Sequence, residues 1–231
     1  MPSARYEVLA TLVGYPGPGF DSEVAKAAAL HAANYPGAAR RLAEFRQLLP
    51  ADDLTALREL HTRTFEVQAI TSLDIGYTLF GEDYKRGALL ANLSREHAAA
   101  GIDCGGELGD HLGNVLRLLP KLADPALREE LVGVLVAPAL QQMIREFDPA
   151  PLAKKEALYQ KHHKTIIEAA PGETRTAYRH LLEAILEILR HDFALKPQLP
   201  VIEESVFAGA VDTEMGIESC AGCGSPNGGV R

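Results

Sequence analysis

The chain has no tryptophan, three cysteines, and an aromatic content of 6% spread over seven tyrosines and seven phenylalanines in 231 residues. Three cysteines, Cys104, Cys220 and Cys223, are too few and too oddly numbered for a disulfide scaffold, so a reducing cytoplasm is the expected location. No apolar run approaches the roughly 20 residues that span a bilayer. The longest candidate, Leu131 to Leu140, is short and contains Gly133 and Pro138. No signal peptide is expected, because the N-terminus lacks a basic region followed by a continuous apolar one. A formal net charge of −8 argues against a nucleic-acid partner, which calls for a basic stripe, and suits a basic one. Period-two alternation and hairpin signals are absent, which argues against a sheet.

Several catalytic signatures are also missing. The chain has no Gly-x-Ser-x-Gly elbow, phosphate loop, His-Glu-x-x-His or dinucleotide fingerprint. No enzymatic activity and no cofactor are therefore expected. His162-His163 can in principle bind metal, but His162 falls on an apolar stripe and reads as a core histidine. Glu59, His61 and Glu66 can form a carboxylate–imidazole pair, which on a helix is usually a solvated ion pair. Cys220-Ala-Gly-Cys223 is a weak metal or redox half-site, because a structural zinc site usually takes four ligands and Cys104 is the one remaining thiol. A metal- or redox-handling protein using this CxxC is the alternative functional reading.

What is present is helical periodicity. Tyr6, Leu9, Ala10 and Val13 share a face, Ser3 is placed to cap them, and Gly14 to Gly19 break the run. Helices are predicted after Asp21, over Ala38 to Leu49, and over Leu54 to Phe65 with Ala51, Asp52 or Asp53 at the start. Further helices are predicted over Asp83 to Ala100, and along Leu108, Leu112, Val115, Leu116 and Leu119. Another runs along Leu127 to Leu135, is kinked or restarted by Pro138, and continues to Phe147. One from Pro151 to Ala170 carries Tyr159, His162, Ile166 and Ala170 on one face. The clearest runs from Glu173 to His191. The prediction is an all-α, single-domain helical bundle of about nine or ten helices over residues 1–192. Residues 193–231, rich in glycine and proline, are predicted to be a flexible tail.

One stretch breaks the pattern. Residues 72–87 interleave Gly76, Gly81 and Gly87 with Tyr77, Leu79, Phe80 and Tyr84 and with Asp74, Glu82, Asp83, Lys85 and Arg86. An irregular, glycine-broken insert on a helical scaffold is where binding is expected. Downstream, Asp110-His111-Leu112 opens a helix, with Asp110 as the expected cap and His111 off the apolar stripe and free to face a groove.

These elements carry a resemblance. Tyr6 to Pro16, Leu60-His61-Thr62-Arg63-Thr64-Phe65, Ser72-Leu73 with Gly76 to Gly87, and Glu107-Leu108 through Asp110-His111-Leu112 resemble the nitrate reductase delta subunit family. These are the NarJ-type molybdoenzyme assembly chaperones, a branch of the TorD/DmsD-like maturation chaperones. The likeness covers about residues 5–190. The wording before Arg86-Gly87 and the Cys-Ala-Gly-Cys tail depart from the better-known members, which leaves the client open among nitrate reductase and related selenate, chlorate, perchlorate or dimethylsulfide-type enzymes.

The resemblance implies a cytoplasmic chaperone that binds the apo catalytic subunit of a molybdenum oxidoreductase, often at its N-terminal peptide. Such a protein keeps its client competent for molybdenum cofactor and iron–sulfur cluster insertion and leaves before assembly. In such a site Tyr77, Leu79, Phe80 and Tyr84 would be apolar anchors. Asp74, Glu82, Asp83 and Asp110 would meet basic residues of the client, and Arg86 would either contact the client or pair with Glu82 or Asp83 to hold the loop. A monomer or weak dimer, neither bound to nucleic acid nor inserted in a membrane, is expected.

Overall fold

The computed structural model describes residues 3–50, 52–163 and 174–195, with residues 159–163 described as backbone alone. Along the chain run α1 (Ser3–Leu12), α2 (Phe20–His31), α3 (Pro36–Leu48), α4 (Leu54–Phe65), α5 (Ile75–Phe80) and α6 (Tyr84–Ala99). They are followed by α7 (Leu112–Leu118), α8 (Pro125–Glu130), α9 (Ala137–Arg145), α10 (Pro149–His163) and α11 (Ala177–Asp192). The π-helical turn Leu131–Val136 joins α8 to α9 as a single rod, so among the described residues the expected all-α bundle of about nine or ten helices is what forms. The predicted tail, with Cys220 and Cys223, lies outside the described residues from 196 onward. So do the side chains of the stripe through Tyr159, His162, Ile166 and Ala170.

Local chemistry sets the boundaries. Asp53 caps α4, its Oδ1 accepting the N–H groups of Thr55 and Ala56 at 2.9 and 3.0 Å. Asp83 caps α6 through Lys85 N–H at 2.9 Å, and Asp124 caps α8 through Ala126 N–H at 2.8 Å. Gly19, at φ 81°, turns the chain into α2, which starts at Phe20, just before the predicted point. α11 begins at Ala177 rather than Glu173, because Thr174–Thr176 form a 3₁₀ turn ahead of it. Pro138 does not break its helix. It sits in the first turn of α9, and the turn before it widens so that Ala137 N–H reaches Val132 O.

α11 is the central rod. Tyr178, Leu181, Leu182, Ile185, Ile188 and Leu189 are fully buried on it, and it packs against α3 and α9. α1 packs on α2 and α7, and α5 lies across the π turn and α9. Each such buried side chain contributes about 1.5–3 kcal/mol over an exposed one. Asp192 ties the end of α11 to the N-terminal helices, accepting from Tyr6 Oη at 2.8 Å and Tyr35 Oη at 2.5 Å. Phe193 and Leu195 continue onto the core. Leu108, assigned to the α7 stripe by its spacing, is instead 49% exposed.

Candidate functional site

The irregular insert forms a short helix and two turns pinned to the start of α7. Ile75 N–H donates to Asp110 O at 3.0 Å, and Leu112 N–H donates to Leu73 O at 2.8 Å. This pair of bonds makes an isolated antiparallel bridge between Asp74 and His111, which brings the Asp74 and Asp110 carboxylates within reach of one guanidinium. Arg86, in the first turn of α6, then reaches both: Nη2 is 2.8 Å from Asp74 Oδ2 and Nε is 3.1 Å from Asp110 Oδ2. The guanidinium carbon lies 5.3 Å from the centre of the Tyr77 ring.

The clamp needs a glycine behind it. A Cβ on Gly76 would stand 2.7 Å from Asp110 Oδ2 and 3.0 Å from Leu89 Cδ2. Asp110 is fully buried, and its Oδ1 has no hydrogen-bond partner among the described residues. Burial, followed by the charge of Asp110, raises the Asp74 carboxyl above its ordinary range, and Arg86 opposes the shift. His111 is buried too, and burial lowers its pKa. Its Nδ1 accepts Gly113 N–H at 3.1 Å, so it is the unprotonated ring that caps α7. The sequence placed both roles differently: Asp110 was the expected cap, and His111 was expected to face a groove. Arg86 likewise pairs with Asp74 and Asp110 instead of Glu82 or Asp83.

In front of the clamp lies an open groove of about 570 Å³. Phe65 and Glu66 line it from the end of α4, and Thr71 and Ser72 from the loop that follows. Asp74, Tyr77 and Thr78 line it from the start of α5, with Arg86 alongside, and Gln142, Glu146 and Lys155 from α9 and α10. Tyr77 is 45% exposed. Lys155 Nζ is 2.9 Å from Glu146 Oε2 and also donates to the carbonyl of Ile70.

Glu66 Oε1 lies 3.7 Å from His61 Nδ1, but this is not an ion pair near neutral pH. His61 is caged by Tyr15, Phe65 and Tyr178 at ring-centre distances of 5.3, 5.0 and 5.6 Å. Burial lowers its pKa from 6.5 to about 4, which leaves it neutral and leaves the Glu66 charge unopposed by it. Glu59 pairs instead with Arg63 at 2.6 Å. With Glu66, Asp74 and Glu146 against Arg86 and Lys155, and Asp110 buried behind, the groove is net negative.

Of the residues singled out from the sequence, Asp74, Tyr77 and Arg86 line the groove and Asp110 supports it from behind. Leu79 and Phe80 are partly buried against the core. Glu82, Asp83 and Tyr84 are exposed at the turn into α6, outside the lining, with Asp83 committed to its cap. Gln142, Glu146 and Lys155 were not anticipated. They sit on the polar faces of α9 and α10, and helical periodicity says nothing of what such a face meets.

Among the described residues no group of three or more His, Cys, Asp or Glu side chains is placed to hold a metal ion. Burial raises the pKa of the Cys104 thiol, which makes it a poor nucleophile or ligand. No described helix is long and apolar enough to cross a membrane. No family model, curated protein or solved structure matches this chain.

Proposed function

We propose that this protein is a polypeptide-binding chaperone whose groove receives a segment of an immature client. More particularly, the client is the apo catalytic subunit of a molybdenum oxidoreductase, held by its N-terminal peptide while molybdenum cofactor and iron–sulfur cluster are inserted in the cytoplasm. The client identity rests on the sequence resemblance. The single structural observation that supports the reading is the composition of the groove. One exposed aromatic ring is set against a half-buried arginine, the lining carries hydroxyls from Thr71, Ser72 and Thr78, and the net charge is negative. Such a surface offers an apolar anchor point, hydrogen-bonding groups for a peptide backbone and attraction for basic flanking residues. In this reading the protein binds and releases, and its client supplies the redox chemistry.

The test is capture from native cytoplasm under reducing conditions, with the retained proteins identified, followed by calorimetry on the N-terminal peptide of the captured subunit. An unassembled molybdoenzyme subunit is the expected catch. Tyr77→Ala should weaken its peptide by about tenfold, the order set by losing one aromatic anchor, with helicity unchanged. Added salt should weaken it further. Retention of assembled enzymes alone, or equal affinity of the parent and Tyr77→Ala, would reject the proposal.

A further inference from the structure

Arg86 and Lys155 both place a cation in the groove, but they are held differently. Arg86 is rooted on the fully buried Asp110. Lys155 reaches in from α10, with 37% of its side chain exposed, and meets two acceptors from two other elements: the Glu146 carboxylate on α9 and the Ile70 carbonyl in the loop after α4. One turn before Glu146, Gln142 Nε2 donates to Glu146 Oε1 at 3.3 Å and steadies the other carboxylate oxygen. A carboxylate oxygen and a carbonyl oxygen converging on one ammonium make a built cation site whose occupant is supplied by the chain itself.

That occupant comes from a stretch of α10 whose described side chains bury little. From Pro149 to Leu158 no side chain is fully buried; Leu152 packs partly on the core and Leu158 is 57% exposed. Ion pairs run from Lys155 to Glu146 and from Glu156 to Arg175. Partly exposed pairs of this kind are worth little in water, so releasing Lys155 costs little.

We propose that Glu146 and the Ile70 carbonyl form a subsite for a basic side chain of the bound polypeptide, which Lys155 fills in the free protein and vacates on binding. The proposal rests on the groove being a polypeptide site and adds the chemistry of one position. Exchanging one cation for another leaves Glu146 paired in both the free and the bound protein, so binding does not strand a half-buried carboxylate. Glu66 and Asp74 keep the groove negative and favour the incoming charge, and the displaced ammonium returns to water. A tethered competitor also lowers the apparent affinity by the fraction of time the subsite is free. A neutral segment cannot replace Lys155, so the latch discriminates as well as fills.

The experiment uses the full chain and a fluorescent amphipathic helical peptide ending in two lysines, beside the same peptide ending in two norleucines. Anisotropy titrations compare the parent with Lys155→Met, which keeps the apolar stem, and with Lys155→Gln as a second neutral variant. Thermal melts check that each variant folds. If the subsite is free about a tenth of the time, both variants bind the lysine peptide about tenfold more tightly and the norleucine peptide unchanged. Glu146→Gln weakens the lysine peptide and abolishes the gain when combined with Lys155→Met. Equal tightening of both peptides, or weakening of the lysine peptide by Lys155→Met, overturns the proposal. Because the probe is independent of any client, failure to capture a molybdoenzyme subunit would reject the client and not the subsite.

Discussion

Replacing Arg86 by methionine should be among the most costly single changes at the groove. The reason is asymmetric burial across the clamp. Asp74 keeps 26% of its side chain in contact with solvent and can rehydrate when its partner leaves. Asp110 cannot, because it is fully enclosed, and one of its oxygens already lacks a partner among the described residues. Removing one member of a buried pair leaves an uncompensated charge, at a cost of about 3–5 kcal/mol. Since Asp74 recovers part of its hydration, the lower end, about 3 kcal/mol, is the expected loss. Combining Arg86→Met with Asp110→Asn removes the stranded charge and should recover more than half of that loss. Glu82→Gln, which the sequence alone offered as a partner of Arg86, should stay within about 0.5 kcal/mol of the parent. Urea unfolding followed by far-ultraviolet circular dichroism near neutral pH reads all of these, provided the slope with denaturant is constant. If Arg86→Met matched the parent, or if Asp110→Asn failed to rescue it, the account of the clamp would be wrong.

Gly76→Ala sets two effects against each other. Helix propensity alone favours alanine by about 1 kcal/mol, whereas a Cβ 2.7 Å from Asp110 Oδ2 and 3.0 Å from Leu89 Cδ2 predicts a net loss of about 2 kcal/mol. A melting temperature at or above that of the parent would show that the clamp has room to move. His61 should make the fold acid-sensitive. As its folded pKa is about 4 against 6.5, the unfolded chain binds more protons between those values, so stability is complete above about 6.5 and falls as pH drops toward 4. The full shift corresponds to about 3 kcal/mol. Urea midpoints across that range should fall less steeply for His61→Phe than for the parent; parallel profiles would place the acid sensitivity elsewhere.

The helices were legible because their signals are local. Asp83 opens α6, and the turn at Gly101, with φ 64°, follows its end. The apolar stripe of α11 reads off at i, i+3, i+4 and i+7 and is buried as read. The insert announced itself by composition, and five of its residues, Ser72, Asp74, Tyr77, Thr78 and Arg86, line the groove. What could not be read was partnership. Arg86 has Glu82 and Asp83 at helical spacing, yet its partners are twelve residues before it and twenty-four after. Asp83 instead caps α6 through the Lys85 N–H, and the cap expected of Asp110 is supplied by His111 one residue later.

The far wall of the groove was hidden for a further reason. Glu146 and Lys155 are ordinary polar positions on amphipathic helices, and only the packing of α5 across the π turn and α9 brings the insert to face them. Along that rod, the missing N–H and bulky ring of Pro138 are accommodated by the widened turn of Leu131–Val136. A regular helix there would advance α9 by a different rotation and turn Gln142 and Glu146 away from Thr71 and Asp74. The proline expected from the sequence to kink or restart its helix thus follows a widened turn, and the rod that continues past it, packed against α5, carries the Glu146 carboxylate to the groove.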